Sequence, residues 1–213
     1  MLYNNNIRTI CEGGKSMRIL AGLLIAGGLF FLTFGGYQIF ETSQAQKKTL
    51  AEAEERLEIA RKEKNKIDPV EEATKFDPGY GESIGKLLIP KLGAELPIVE
   101  GIDENDLAQG VGHYTGTAFP LQNDQIVLSG HRDTVFRGMG KLEIGDLFIV
   151  EMEYGKFTYE IVETFITDPD DRTVIVPHDE EILTVTTCYP FNFIGSAPQR
   201  YIVNALPVDV DED

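Results

Sequence analysis

Cysteine is nearly missing from this chain: Cys11 and Cys188 are the two in 213 residues, too few to build a disulfide framework. Histidine is almost as scarce, with three, and no D-x-D-x-D-G loop or thiolate cluster offers a metal site. Positive charge is short as well, since 19 lysines and arginines stand against 35 acids for a net charge of -16. Residues 1–40 carry Arg8, Lys15 and Arg18 against Glu12, a net +2, which leaves -18 for the rest and argues against a nucleic-acid partner. Internal repeats and low-complexity tracts are absent. What is present, 42% hydrophobic residues, is enough for one real core and rules out a disordered protein.

Charge is lacking altogether from Ile19 to Phe40, a run of 22 residues rich in Leu, Ile, Phe and Gly. Such a run crosses a hydrocarbon layer of about 30 Å as a helix. Arg8, Lys15 and Arg18 precede it and Glu41 follows, so the positive-inside tendency puts residues 1–18 in the cytoplasm and everything after Phe40 outside. The rival is a signal peptide cleaved near Ser43-Gln44-Ala45, but the apolar stretch is too long for a usual signal core, and an uncleaved anchor over 19–40 is expected. Met17-Arg18 would itself make a normal signal-anchor start, with Glu12-Gly13-Gly14 a ribosome-binding site read as protein, which is the case for residues 1–16 not being translated. Across this span Cys11 and Cys188 lie on opposite sides and cannot pair. Cys188 is then a solitary extracellular thiol, exposed to oxidation, and it invites a functional explanation.

Residues 41–82 read as a charged stalk and linker. Half of the residues from Glu41 to Lys66 are charged, Leu50, Ala53, Leu57 and Ala60 follow three-four spacing, and Glu52/Arg56 and Glu58/Lys62 form i,i+4 pairs. The stripe is short and Ala-rich, so a solvated single helix is expected over a coiled coil. Asp68-Pro69 and Asp77-Pro78-Gly79 mark a linker. After Ser83 the texture changes to short Val/Ile/Leu/Phe/Tyr runs punctuated by Gly and Pro: 86–89, 95–99, 125–129, 147–152, 157–166, 173–176, 183–187 and 201–204. Eight such runs predict a mainly β domain, a closed or nearly closed barrel, with short helical turns at 103–109 and 134–140 and an acidic tail at 208–213.

Within Leu183-Thr184-Val185-Thr186-Thr187-Cys188 a period of two puts Leu183 and Val185 on one face and Thr184, Thr186 and Cys188 on the other. Cys188 is therefore off the face that the large apolar side chains claim, and Tyr189-Pro190 ends the strand beside it. A small buried core cysteine is the competing account. A free thiol, with a pKa of about 8.5, needs a base or a positive field to act as a nucleophile at neutral pH. His131 closes the run Gln125-Ile126-Val127-Leu128-Ser129-Gly130 at a strand end and is the candidate partner, whereas His113 and His178 read as structural or solvated. Arg200 opens the last strand twelve residues after Cys188, close enough in sequence for neighbouring strands to present both side chains. It is a candidate for binding an oxyanion, with a surface salt bridge as the alternative.

Thr186-Thr187-Cys188 with Arg200 downstream, and Leu128-Ser129-Gly130-His131-Arg132 upstream, resemble the sortase signature, in which T-x-T-C or T-T-C is followed by arginine and preceded by a G-H motif. The likeness extends through Ile84 to Leu92, Leu96 to Gly101 and Gly112 to Thr117, covering residues 83–207. The stretch Gly130 to Arg137, Cys188-Tyr189-Pro190-Phe191 and Gly195-Ser196-Ala197-Pro198 look most like class D. The resemblance implies an eight-stranded sortase barrel and a cysteine transpeptidase in which Cys188 is nucleophile, His131 general acid and Arg200 oxyanion partner. It implies secreted partner proteins bearing an LPxTG or LPNTA sorting signal, an accepting amine from peptidoglycan or its lipid-linked precursor, and no cofactor. Thr187, Tyr189 and Phe191 are the candidates for substrate contact, with Phe193 beside them and core packing as the alternative for the aromatics. Asp168, Asp170, Asp171, Glu180 and Glu181 read as a solvated acidic loop rather than a Ca²⁺ site. A non-catalytic adhesion or scaffold domain on a membrane stalk is the other reading, and it leaves Cys188, His131 and Arg200 unexplained. A papain-like peptidase expects its cysteine on an early helix, and an L,D-transpeptidase expects S-x-G-C, which is absent.

Overall fold

The computed structural model describes residues 5–63, 68–192 and 195–208. Phe193, the tail beyond Val208 and the first four residues, on which expectations were placed above, lie outside the described residues. The chain divides into two compact units, Met1–Gln44 and Ala45–Asp213. Helix α1 (Asn5–Glu63) supplies the described part of the first unit and enters the second. Its apolar part is long enough to cross a membrane and no residue of that window is buried. Large side chains such as Leu23, Phe31, Leu32 and Ile39 stand exposed, as a lipid-facing helix requires. Thr33 returns its hydroxyl to Leu29 and Phe30 carbonyls at 3.0 and 2.9 Å, so this polar group is satisfied within the helix.

In the second unit the remainder of α1 is docked, not solvated, which corrects the expected free stalk. Thr49, Ala53 and Leu57, spaced four apart, are buried. Arg56 reaches Glu82 at 2.6 Å and Glu153 at 3.5 Å, and Arg61 reaches Glu151 at 3.2 Å. The acidic barrel surface thus recruits arginines that intrahelical pairing alone would keep at home, although Glu58–Lys62 still forms at 3.9 Å. The expected linker also contains structure. Asp68 accepts from the Val70 N–H at 2.9 Å and caps α2 (Pro69–Lys75), with Pro69 in the first helical turn where its missing N–H costs nothing.

Eight strands follow: β1 (Ser83–Ile89), β2 (Ala94–Glu100), β3 (Val111–His113), β4 (Gln125–Gly130), β5 (Leu147–Met152), β6 (Gly155–Thr167), β7 (Ile182–Tyr189) and β8 (Gln199–Pro207). They close in the order β1-β2-β3-β4-β7-β8-β6-β5, so every edge is paired. Pairs β2–β3 and β4–β7 are parallel; the others are antiparallel. A short helix α3 (Glu104–Gln109), held by an Asp103–Asp106 capping box, makes the parallel return from β2 to β3 possible. The core is the inward set of alternate residues, including Leu87, Ile98, Leu128, Phe148, Tyr159 and Val185.

The count of eight strands matches the sequence reading, but two members differ. Residues 173–176 form no strand, while β3 lies outside all eight of the apolar runs. Gly112 hides that strand from sequence: a Cβ there would sit 2.4 Å from the Gly101 carbonyl oxygen, so only glycine lets β3 pass so close to the backbone.

Candidate active site

Cys188 lies directly opposite Arg200 in the antiparallel β7–β8 pair. In the parallel β4–β7 pair Gly130 is level with Thr187, so His131, one step on, comes level with Cys188. Three adjacent strands therefore end side by side and bring His131, Cys188 and Arg200 to one height. Directly opposed Cβ atoms in such a pair stand about 5 Å apart. Alternation also sets the face: Ile126 and Leu128 in β4, Leu183 and Val185 in β7, and Val203 and Ala205 in β8 fill the core, which leaves His131, Cys188 and Arg200 on the outward side. All three are half-buried, neither sealed in the core nor loose in solvent.

Local sequence explains each placement. β4 ends on Gly130, and a Cβ there would lie 2.6 Å from the Phe136 ring and 2.7 Å from Val135, so glycine lets the turn that follows His131 fold back against the strand end. That turn is closed by the Phe136 N–H donating to the His131 carbonyl at 3.0 Å. β7 ends at the cis Tyr189-Pro190 bond. Arg200 Nη1 donates to the Gln199 carbonyl at 3.1 Å and to the Ala197 carbonyl at 3.5 Å, so the guanidinium lies along its own connection while Nε and Nη2 keep further N–H donors.

The residues expected to contact substrate also make contacts within the fold. Thr187 is buried and donates its hydroxyl to the Gly130 carbonyl at 2.7 Å, so it braces the two strands that lead to Cys188 and His131. Tyr189 and Phe191 are engaged with each other and with Tyr201, at ring separations of 5.4, 6.2 and 5.2 Å, and Phe191 also rests on Gly140. Phe191 and Tyr201 pack against the core cluster. Sequence reasoning gave Arg132 no role, yet its Nη2 donates to the Gly195 carbonyl at 2.9 Å and ties the turn after His131 to the β7–β8 connection.

The other histidines stand apart from this cluster. His113 is 1% exposed, with Nδ1 2.6 Å from Glu100 Oε2, Nε2 donating to the Ala118 carbonyl at 3.0 Å, and its ring stacked on Phe119. His178 is exposed on the β6–β7 connection. In the acidic loop Asp171 already accepts from the Thr167 hydroxyl and from the Thr173 hydroxyl and N–H, and these bonds pull its carboxyl down to about 2. Among the described residues no three His, Cys, Asp or Glu side chains are grouped to hold a metal ion.

Comparison with known proteins agrees with this geometry. The Sortase domain family model matches residues 87–208. Sortase D of Bacillus subtilis (strain 168) is 46% identical over 190 residues, covering 87% of this chain and 96% of its own. Among solved structures, a Clostridium perfringens sortase D5 transpeptidase superposes with a TM-score of 0.65 at 32% identity, over 78% of this chain and 99% of that one. The catalytic domain of Bacillus anthracis SrtD gives 0.55 at 44% identity, over 63% and 92% of the two chains. A closed eight-stranded barrel, a thiol and a guanidinium paired across two strands with an imidazole alongside, and these likenesses make the chain a member of the sortase family of cysteine transpeptidases.

Proposed function

We propose that this chain is a membrane-anchored sortase that cuts a C-terminal LPxTG- or LPNTA-like sorting signal and passes the upstream protein to an amine of peptidoglycan or its lipid-linked precursor. The observation that carries the reading is the alignment of Cys188, Arg200 and His131 on three neighbouring strand ends. The Cys188 thiolate attacks the carbonyl carbon after the signal's threonine, and the oxygen takes up the electron pair as an oxyanion. Arg200 is placed to hold that charge through its remaining N–H donors. Collapse of the adduct breaks the C–N bond, and His131 protonates the departing amine, leaving a thioester on Cys188. The incoming amine then attacks the thioester, gives up a proton to His131, and releases the thiolate. Thr187, Tyr189, Phe191 and Arg132 support these groups from behind.

The charge pattern around the span supports an orientation with Arg8, Lys15 and Arg18 in the cytoplasm and the barrel outside, where both secreted substrates and wall precursors occur. Tethering raises the encounter rate with membrane-bound partners. The test is intact-mass spectrometry of the full chain in detergent, incubated with LPxTG and LPNTA peptides with and without a small amine. A Cys188-dependent acyl adduct and an amine-exchanged product are expected. Turnover retained in Cys188→Ala, or no adduct on a reduced and accessible Cys188, sinks the reading.

A further inference from the structure

The outward face of β4, β7 and β8 is covered at its lower end. By alternation Gln125 and Val127 share this face with His131, Thr184 shares it with Cys188, and Asn204 and Ile202 share it with Arg200. Yet Gln125, Val127, Thr184 and Ile202 are all at most 4% exposed. At Gln125 the covering segment is the β6–β7 connection, residues 168–181. It leaves β6 at Thr167, paired with Arg200 at the level of the thiol, and returns at Ile182, paired with Gln125. It therefore spans the length of the face, about 20 Å for the six residue steps from Gln125 to His131.

One buried side chain reads this connection as a strand would. Gln125 Nε2 donates to the Val174 carbonyl at 2.8 Å and to Thr184 Oγ1 at 2.8 Å, while Oε1 accepts from the Val176 N–H at 3.0 Å. Carbonyl of one residue and N–H of the second next is the pattern of a β-ladder, supplied here by one amide. Its neighbours extend the contact: Asp124 accepts from the His178 N–H at 2.7 Å, and Asn123 donates to the Asp179 carbonyl at 3.1 Å. On the barrel side the chain continues from Thr184 Oγ1 to Asn204 Oδ1 at 2.9 Å and from Asn204 Nδ2 to Glu163 Oε2 at 3.0 Å, crossing to β8 and β6.

We propose that Gln125 is a positioning residue that latches the β6–β7 connection to the β4–β7 face and so fixes the side wall of the cleft that leads to Cys188. The proposal rests on the transpeptidase reading for its consequence. A peptide with its scissile carbonyl at Cys188 and laid extended along β7 reaches the level of Thr184, about 13 Å away, with four residues. Its far end then lies beside the latched segment. Loosening the latch weakens binding of the signal while the three reacting groups, on strand ends above it, stay in place.

The test is Gln125→Glu in the full chain in detergent: the variant keeps the shape and loses both N–H donations. Amide exchange at Val176 should accelerate at least about tenfold while Val127 and Val185 stay protected. KM for the LPxTG or LPNTA peptide that the wild type cleaves should rise about tenfold with kcat within twofold. Val176→Pro removes the same N–H from the exposed, loop side, so the test survives a poorly folding Gln125 variant, and the double variant should be no worse than the more affected single one. Unchanged exchange at Val176, an unchanged KM, or a fall in kcat alone overturns the proposal. If the wild type turns over neither peptide, the transpeptidase reading fails instead, and the exchange measurement still decides whether Gln125 holds the connection.

Discussion

His113 ends β3 and His131 directly follows the adjacent β4, each directly after a glycine, and the surroundings of the two rings are opposite. His113 closes β3 with both ring nitrogens engaged, its partner Glu100 only 4% exposed, and a phenyl ring stacked against it. His131 follows β4 half-buried, level with a thiol and a guanidinium, and among the described residues nothing hydrogen-bonds its ring. A titratable group whose bonds are all made inside the fold is held for stability; one held in place but left unbonded beside a nucleophile can move a proton. The difference between these regions lies in what the next strand brings, since β3 faces the carboxylate of β2 while β4 faces the cysteine of β7.

The largest effects should come from the β4–β7–β8 ends and leave stability alone. Arg200→Ala and His131→Ala should each lower kcat/KM for a sorting peptide by about 10²–10⁴-fold, with melting temperature nearly unchanged, because neither side chain belongs to the core. Arg200→Lys should recover only part of the loss, since an ammonium cannot reproduce the guanidinium fork. A fall in melting temperature matching the fall in activity would put these residues in the same category as His113. His113→Ala should do the reverse. It leaves the buried Glu100 carboxylate without its ring partner, and losses of about 3 kcal/mol or more are usual when one member of a buried pair is removed. Thermal denaturation should show a drop of about 10 °C, while kcat per folded molecule stays within about twofold. A selective loss of kcat in His113→Ala would erase the distinction.

Between these extremes Thr187→Val should break the brace to the Gly130 carbonyl at little change in volume. The buried carbonyl keeps its lone pairs but loses its donor, at about 1–2 kcal/mol. Because the brace lies one residue before both Cys188 and His131, kcat should fall by about tenfold with KM little changed, as expected when reacting groups drift apart. Steady-state kinetics beside a melting curve separates the two contributions. A raised KM at constant kcat would return Thr187 to the role of substrate contact.

How much of this was legible depends on how local the cause is. Period-two alternation in Leu183 to Cys188 announces the outward face of the thiol, and β5 occupies the apolar run 147–152 from end to end. What stayed hidden depends on partners far away in sequence. Residues 173–176 have the composition of a strand, but their backbone is taken up in part by the Gln125 side chain, and no ladder forms. Tyr189 and Phe191 read as groove walls or as core, and the packing that Tyr201 and Gly140 give them comes from outside their own segment. The stalk's alternatives were solvent or a second helix, because nothing within residues 41–66 signals that Glu82, Glu151 and Glu153 converge on Arg56 and Arg61.

That docking gives the smallest expected effect and completes the comparison, since Arg56–Glu82 is a made pair like His113–Glu100 but an exposed one. The Gly79 N–H, and then Arg56, hold the Glu82 carboxyl below its ordinary 4.5. A carboxyl whose pKa is lowered by folding stabilises the fold fully above its unfolded value and loses that contribution as pH falls through the lowered one. Glu82→Gln should therefore melt slightly below wild type from pH 5 to 7, and the gap should close in more acidic buffer as the wild-type carboxyl takes up its proton. Added salt should narrow the same gap at neutral pH, because both side chains are partly open to solvent. A large gap that persists at low pH and in high salt would mean that Glu82 holds the helix by packing and not by charge, and the line drawn here between buried and exposed pairs would have to move.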